Sequence, residues 1–134
     1  MKRSVIAAVG LPLLLAVAPA SAHHSGAMFD ANKDVTLNGT IKELQWTNPH
    51  SWVELMVPDA GKDVQWSFEM EGPNVMHREG WNPKIILPGD HVTIVAHPLK
   101  DGRSGGSLVS IKLPDGRTLT RGVYKSTLAA PGGG

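Results

Sequence analysis

From Asp34 onward, apolar and polar residues alternate more often than they recur at a helical period, and Gly, Pro, Asn and Asp interrupt them at short intervals. The pattern predicts a mostly β chain. Val35, Leu37 and Ile41 share one face of a first strand, and Leu44 and Trp46 continue on the opposite parity. A strand that changes face in mid-course contains a bulge or a sharp coil, and Gly39 is the expected bend. After the Thr47-Asn48-Pro49 turn, a second strand sets Val53, Leu55 and Val57 against Trp52, Glu54 and Met56. Pro58 to Lys62 forms the next turn. A third strand then places Val64, Trp66, Phe68 and Met70 on one face and Gln65, Ser67, Glu69 and Glu71 on the other, a half-buried pattern in which the carboxylates read as the solvated side.

Gly72-Pro73-Asn74 opens the only helix candidate, roughly Pro73 to Glu79, with Pro near the first position and Gly80 as the stop. Leu87-Pro88-Gly89-Asp90 turns the chain into a fourth strand, where Val92, Ile94 and Ala96 alternate with His91, Thr93, Val95 and His97. A Gly-rich hairpin from Pro98 to Gly106 leads to a fifth strand with Val109, Ile111 and Leu113 inward, and Asp115-Gly116 signals a last tight turn before an edge segment, Arg117 to Arg121. Three strands, a short helix and two strands is the element order of a five-stranded oligonucleotide/oligosaccharide-binding (OB) barrel, whose helix lies between strands three and four. The predicted fold is therefore mainly β, an OB-like barrel over residues 34–121; a small β-sandwich is the alternative that strand count alone leaves open.

The residues ahead of the barrel change the setting. Lys2 and Arg3 start a basic segment, Val5 to Val17 is apolar apart from Gly10 and Pro12, and Ala20-Ser21-Ala22 closes it, which is the plan of a secretory signal peptide over residues 1–22. The apolar stretch is short of the roughly 20 residues a membrane span needs. Cleavage after Ala22 would deliver a periplasmic protein with an arm, residues 23–33, ahead of the barrel, and a flexible tail, residues 122–134, ending in Ala-Ala-Pro-Gly-Gly-Gly. The chain has 13 Lys and Arg against 12 Asp and Glu; without Lys2 and Arg3 the count is 11 against 12, a net charge of −1. Such a surface has no electrostatic purchase on a phosphate backbone, so no nucleic-acid partner is expected. The absence of cysteine excludes thiol chemistry, disulfides and thiolate metal sites.

Of the six histidines, His23 and His24 would be the first two mature residues. A terminal histidine offers its α-amine and its ring nitrogen as a chelate, and a further imidazole from elsewhere completes a histidine brace. Nitrogen-rich, thiolate-free sites of this kind suit copper(II). His50 lies where the first hairpin loop enters strand two, and His97 where strand four enters its hairpin loop, and in an OB barrel these two loops flank one binding face. The arm extends about 3.3 Å per residue and can reach that face. His91 is roughly 20 Å along strand four from His97 and cannot share its ion; His91 and His77 read as surface residues. The expected metal ligands are thus His23, His24, His50 and His97, with copper as the ion.

His-His-Ser at the mature start, Phe29-Asp30, Gly39-Thr40, Trp46-Thr47-Asn48-Pro49-His50, Trp66 with Glu69, Gly80-Trp81, Pro88-Gly89-Asp90 and the Pro98 to Gly106 hairpin together resemble domain-of-unknown-function family 6152, a set of small bacterial exported proteins. The resemblance covers nearly the whole mature chain. It implies an exported β-barrel in which His23, His24 and His50 belong to the family pattern, and it carries no activity with it.

The rival reading is a module for a small ligand or a periplasmic protein partner, with Trp52 and Asn48 as contacts and the histidines incidental. Trp46, Trp66 and Trp81 are expected in the core. Met28, beside the histidine arm, is a soft thioether of interest for copper(I). An oxidative copper enzyme is a third reading that needs an open coordination position. No Gly-x-Ser-x-Gly elbow, His-Glu-x-x-His motif or phosphate-cradling loop is present, so no catalytic residue is assigned.

Overall fold

A computed structural model describes residues 26–121. The leader, His23, His24 and the tail from 122 lie outside the described residues. The elements run β1 (Val35–Gln45), β2 (Trp52–Asp59), β3 (Lys62–Glu69), α1 (Pro73–Arg78), β4 (His91–Pro98), β5 (Gly105–Lys112) and β6 (Thr118–Thr120), preceded by one 3-10 turn, Gly26–Met28. The sheet order is β3-β2-β1-β4-β5-β6, and a parallel pairing of β3 with β5 closes the first five strands into a barrel. This is the OB-like barrel expected from element order, with α1 between β3 and β4.

The core follows the alternation. Val53, Leu55, Phe68, Met70, Ile94, Leu108 and Ile111 are fully enclosed, and Met76 of α1, Trp81 and Ile86 belong to the same buried cluster. Trp81 keeps its indole N–H satisfied by donating to the Thr120 carbonyl at 2.9 Å. Trp46 and Trp66 pack against this cluster and are only partly buried, Trp66 lying near-parallel to Phe68 with ring centroids 6.1 Å apart.

Two details differ from the alternation pattern. The change of face in β1 occurs at Lys42, where the register with β2 slips between Ile41 and Glu43. Gly39 has another job: a Cβ there would lie 2.5 Å from the Met56 carbonyl oxygen, so the residue lets β1 press against β2. In β5 the inward residue is Leu108. Val109 is only half-buried, because the β4–β5 register slips between Val95 and Ala96, pairing Val95 with Ser110 and Ala96 with Leu108, and Val109 becomes the extra residue of a bulge.

Two loops repeat one device. In Asp101-Gly102-Arg103 and Asp115-Gly116-Arg117 the glycine has φ of +80° and +89°, and the Asp carboxylate accepts the backbone N–H and Nε–H of the Arg two residues on. Those bonds, the backbone one foremost, hold both carboxyls below the usual 3.8.

Replacing Phe68 by Ala in the closed core is expected to cost about 3 to 5 kcal/mol in chemical denaturation. The paired turns predict a small acid-side effect. Their folded carboxyl pKa values lie under the unfolded value of 3.8, so their stabilisation is complete above that pH and is lost as pH falls through the lowered values. An Asp101→Asn/Asp115→Asn double variant should flatten the stability curve in that acid window and leave its shape at neutral pH unchanged.

Candidate functional site

The outward face of the barrel is organised by one cross-strand row. Trp52 on β2 pairs with Glu69 on β3, Glu69 with Ser107 on β5, and Ser107 with His97 on β4. Directly paired residues project to the same side of a sheet, here opposite the inward row Val53, Phe68, Gly106. Adjacent strands lie about 4.8 Å apart, so the row spans some 14 Å from Trp52 to His97.

Across it runs the segment that precedes β1. The Asp30 amide donates to the Pro98 carbonyl at 2.9 Å, the Lys100 amide to the Met28 carbonyl at 2.9 Å, and Phe29 forms an isolated antiparallel bridge with Leu99. Phe29 is buried by the contact. This strap borders two cavities. One of about 180 Å³ is walled by Gly26, Phe29, Ala31, Glu69, His97, Ser107 and Arg121. The other, about 290 Å³, has Met28, Phe29, Trp52, Ser67 and Leu99 among its walls. A wider open depression of about 460 Å³ lies elsewhere, around Asn38, Thr40 and His91. There His91 Nδ1 meets the Thr40 hydroxyl at 3.0 Å; His77 is exposed on α1, and both are surface residues.

His50 is set by the loop before β2. The Thr47 hydroxyl donates to the His50 carbonyl at 2.7 Å, the Met70 amide donates to the Ser51 carbonyl at 2.9 Å, and the Ser51 amide donates to the Glu71 carbonyl at 3.1 Å, extending the β2–β3 pairing past Trp52. The ring Nδ1 lies 2.9 Å from the Met70 carbonyl oxygen and 3.2 Å from Glu69 Oε1. His97 is held the same way: its Nδ1 lies 2.9 Å from the Lys33 carbonyl oxygen and 3.0 Å from Asp34 Oδ1. A carbonyl oxygen only accepts, so Nδ1 carries the proton in both rings. The neutral imidazole then has its lone pair on Nε2, the arrangement that carbonyl and carboxylate partners impose on metal-binding histidines.

The sequence-predicted residues thus divide. His50 touches Glu69, and Glu69 shares the smaller cavity with His97. Trp52 lies beside Glu69 in the row and walls the larger cavity. Asn48, joined to Pro49 by a cis peptide bond, is exposed and lines neither strap cavity; its side chain lies against Gly72. Among the described residues no group of three or more His, Asp or Glu converges as a metal site.

Glu69 corrects the alternation-based reading. It is 5% exposed, not solvated, because β5 and the strap cover the end of β3. Glu71 is half-buried and accepts Arg121 Nε–H and Nη2–H at 3.1 and 2.8 Å. Ser107, which sequence patterning did not single out, is 2% exposed, and its hydroxyl has no hydrogen-bond partner among the described residues. The OB element order itself was the available signal, since it implies that β3 meets β5.

Fold and site together define a small OB-like barrel whose outward face is crossed by its own N-terminal strap and carries two histidines anchored at Nδ1. A family model described as a family of unknown function, DUF6152, matches residues 11–108, and the chain belongs to that family. No curated protein and no solved structure matches it. Among the described residues no helix is long and apolar enough to cross a membrane.

Ring-nitrogen chemical shifts of the metal-free protein, from long-range ¹⁵N–¹H NMR, should report the Nδ1–H tautomer for neutral His50 and His97. An Nε2–H tautomer at His50 would contradict the anchoring by Met70 and Glu69.

Proposed function

We propose that the mature protein is a periplasmic copper-binding protein, a carrier or sensor, whose ion is held by the α-amine and ring of His23 together with His50, with His24 and His97 beside them. The observation that carries this reading is the anchoring of His50, whose Nδ1 is engaged by the Met70 carbonyl and Glu69 so that Nε2 has the lone pair. Reach supports it too. Gly26 walls the cavity that holds Glu69 and His97, and His23 is only three residues earlier, about 10 Å of extended chain. Nitrogen donors in a cysteine-free chain suit copper(II) above the other common divalent ions.

A second reading, a small-ligand module, draws on the cavity of about 290 Å³ where Met28, Phe29, Trp52 and Leu99 provide apolar walls. There the histidines are incidental, and copper binding separates the two.

Mass spectrometry of protein recovered from a periplasmic extract should give a chain starting at His23. That protein should take up one chelator-reversible equivalent of copper(II). Retaining one residue ahead of His23 turns its amine into an amide, and His50→Ala deletes the distant imidazole; each should weaken binding more than about 10-fold, beyond the usual loss of one outer partner, while His91→Ala should not. Protons compete for the same lone pairs, so affinity should fall as pH drops. Equal binding by native and extended termini would remove the amine from the site.

A further inference from the structure

The open depression of about 460 Å³ has no part in the copper reading, and none of its lining residues walls either strap cavity. Its floor is a patch of outward side chains in two rows, defined by the strand registers. Asn38 on β1 pairs with Thr93 on β4, and Thr93 with Lys112 on β5; two residues along, Thr40 pairs with His91. Paired residues share one side of a sheet, and the inward side here carries Val92, Ile94 and Ile111, all buried. Strands about 4.8 Å apart and a rise of about 3.3 Å per residue make the patch roughly 10 by 7 Å. In the order β2-β1-β4-β5, Pro58 on β2 and Pro114 just past β5 line its two ends, and both are exposed.

Within the patch the uncharged groups hold one another in place. The Thr93 hydroxyl donates to Asn38 Oδ1 at 2.7 Å, so the Asn38 amide keeps both of its N–H donors. Thr40 Oγ1 and His91 Nδ1 lie 3.0 Å apart, which leaves the imidazole Nε2 for another partner. Side chains fixed in this way before anything binds lower the ordering cost of recognition. Lys112 differs from them: it is exposed and enters no ion pair or side-chain hydrogen bond among the described residues. No carboxylate lines the depression. The carboxylates nearest in sequence to His91 and Lys112 are committed to their own turns, Asp90 accepting the Leu87 amide at 2.9 Å and Asp115 accepting two N–H groups of Arg117. The patch thus offers an ammonium and amide donors with no anion to answer them.

We propose that this depression binds an acidic saccharide, a sugar unit that carries a carboxylate. Lys112 and the Asn38 amide meet the carboxylate, Thr40, Thr93 and His91 meet the ring hydroxyls, and the proline rims pack against the C–H edges of the ring. An inorganic anion would use the charge and leave the hydroxyl groups and prolines idle, whereas a neutral sugar would leave the charge idle. The site lies on β1, β4 and β5, off the β2–β3 face on which OB barrels hold their ligands, and it stands whether or not copper binds.

The test titrates ¹⁵N-labelled protein with D-glucuronate, D-glucose and inorganic phosphate at constant ionic strength and follows the amide chemical shifts. Glucuronate should shift the amides of Asn38, Thr40, His91, Thr93 and Lys112 in a saturable way, and glucose and phosphate should each bind several-fold more weakly. Lys112→Gln should weaken glucuronate binding about 2- to 5-fold, the worth of one exposed charge pair, and leave glucose binding unchanged. Asn38→Asp preserves the acceptor for Thr93 but sets a negative charge in the patch, and should abolish the glucuronate shifts. Both residues are exposed, so both variants should melt as wild type does. His50→Ala should bind glucuronate like wild type. Glucose or phosphate binding as tightly as glucuronate would overturn the proposal. So would shifts scattered outside the patch, the absence of shifts, or wild-type glucuronate affinity in Lys112→Gln.

Discussion

The parallel pairing of β3 with β5 is the constraint on which both the barrel and its outward face depend. It joins Ser67 to Gly105, Phe68 to Gly106 and Glu69 to Ser107, and without it the sheet would be an open ribbon with β3 as one edge. The fit is close. A Cβ on Gly106 would lie 2.5 Å from the His97 carbonyl oxygen, so the glycine lets β5 thread between β3 and β4. One step along the chain, the same pairing sets Ser107 between Glu69 and His97. Closure, which hides Phe68 from water, therefore also assembles the polar row outside.

That row places a carboxylate and a hydroxyl where water is scarce, an arrangement a fold tolerates when something else repays it. Glu54, also on the outward face, shows the repayment within the protein: it is buried, and its two oxygens accept Ser67 Oγ–H at 2.7 Å and Gln65 Nε2–H at 2.8 Å. Among the described residues Glu69 meets one side-chain partner, His50, and the Ser107 hydroxyl meets none. The contrast is between a carboxylate met by two side-chain donors of its own strand pair and one met by a single imidazole from the loop before β2.

The barrel was legible because its strands obey the period of two and its turns carry the residues their geometry demands; Gly80, Gly89 and Gly116 all have positive φ at the predicted stops. What strand-by-strand reading could not see depends on registers between strands distant in sequence. Val109 alternates correctly within its own segment and is displaced only because β4 and β5 slip by one residue. Likewise Glu69 alternates with Phe68 and Met70 as a solvent-facing residue would, yet β5 pairs over it and a strap some 40 residues earlier in sequence walls the same cavity. His50 and His97 were legible as the two ends of one face; their partners, Glu69, Met70, Lys33 and Asp34, were not, since a hydrogen bond to a ring nitrogen leaves no mark on hydrophobic periodicity.

The strap bears most directly on how function can arise at this face. A frayed terminus would place no constraint on the histidines ahead of it, whereas here the chain is tied down from Met28 onward, by the Met28 carbonyl, the Phe29 bridge, the Asp30 amide and the grip of Lys33 and Asp34 on His97. Ordering those residues costs backbone entropy, on the order of 1 to 2 kcal/mol each, and burial of Phe29 offsets part of it. His97 contributes twice to this arrangement, once as a wall of the cavity and once as the side chain whose Nδ1–H holds the end of the strap. A ligand that drew His97 away from Lys33 and Asp34 would loosen the strap, and one that left those bonds intact would be held by a tether already in place.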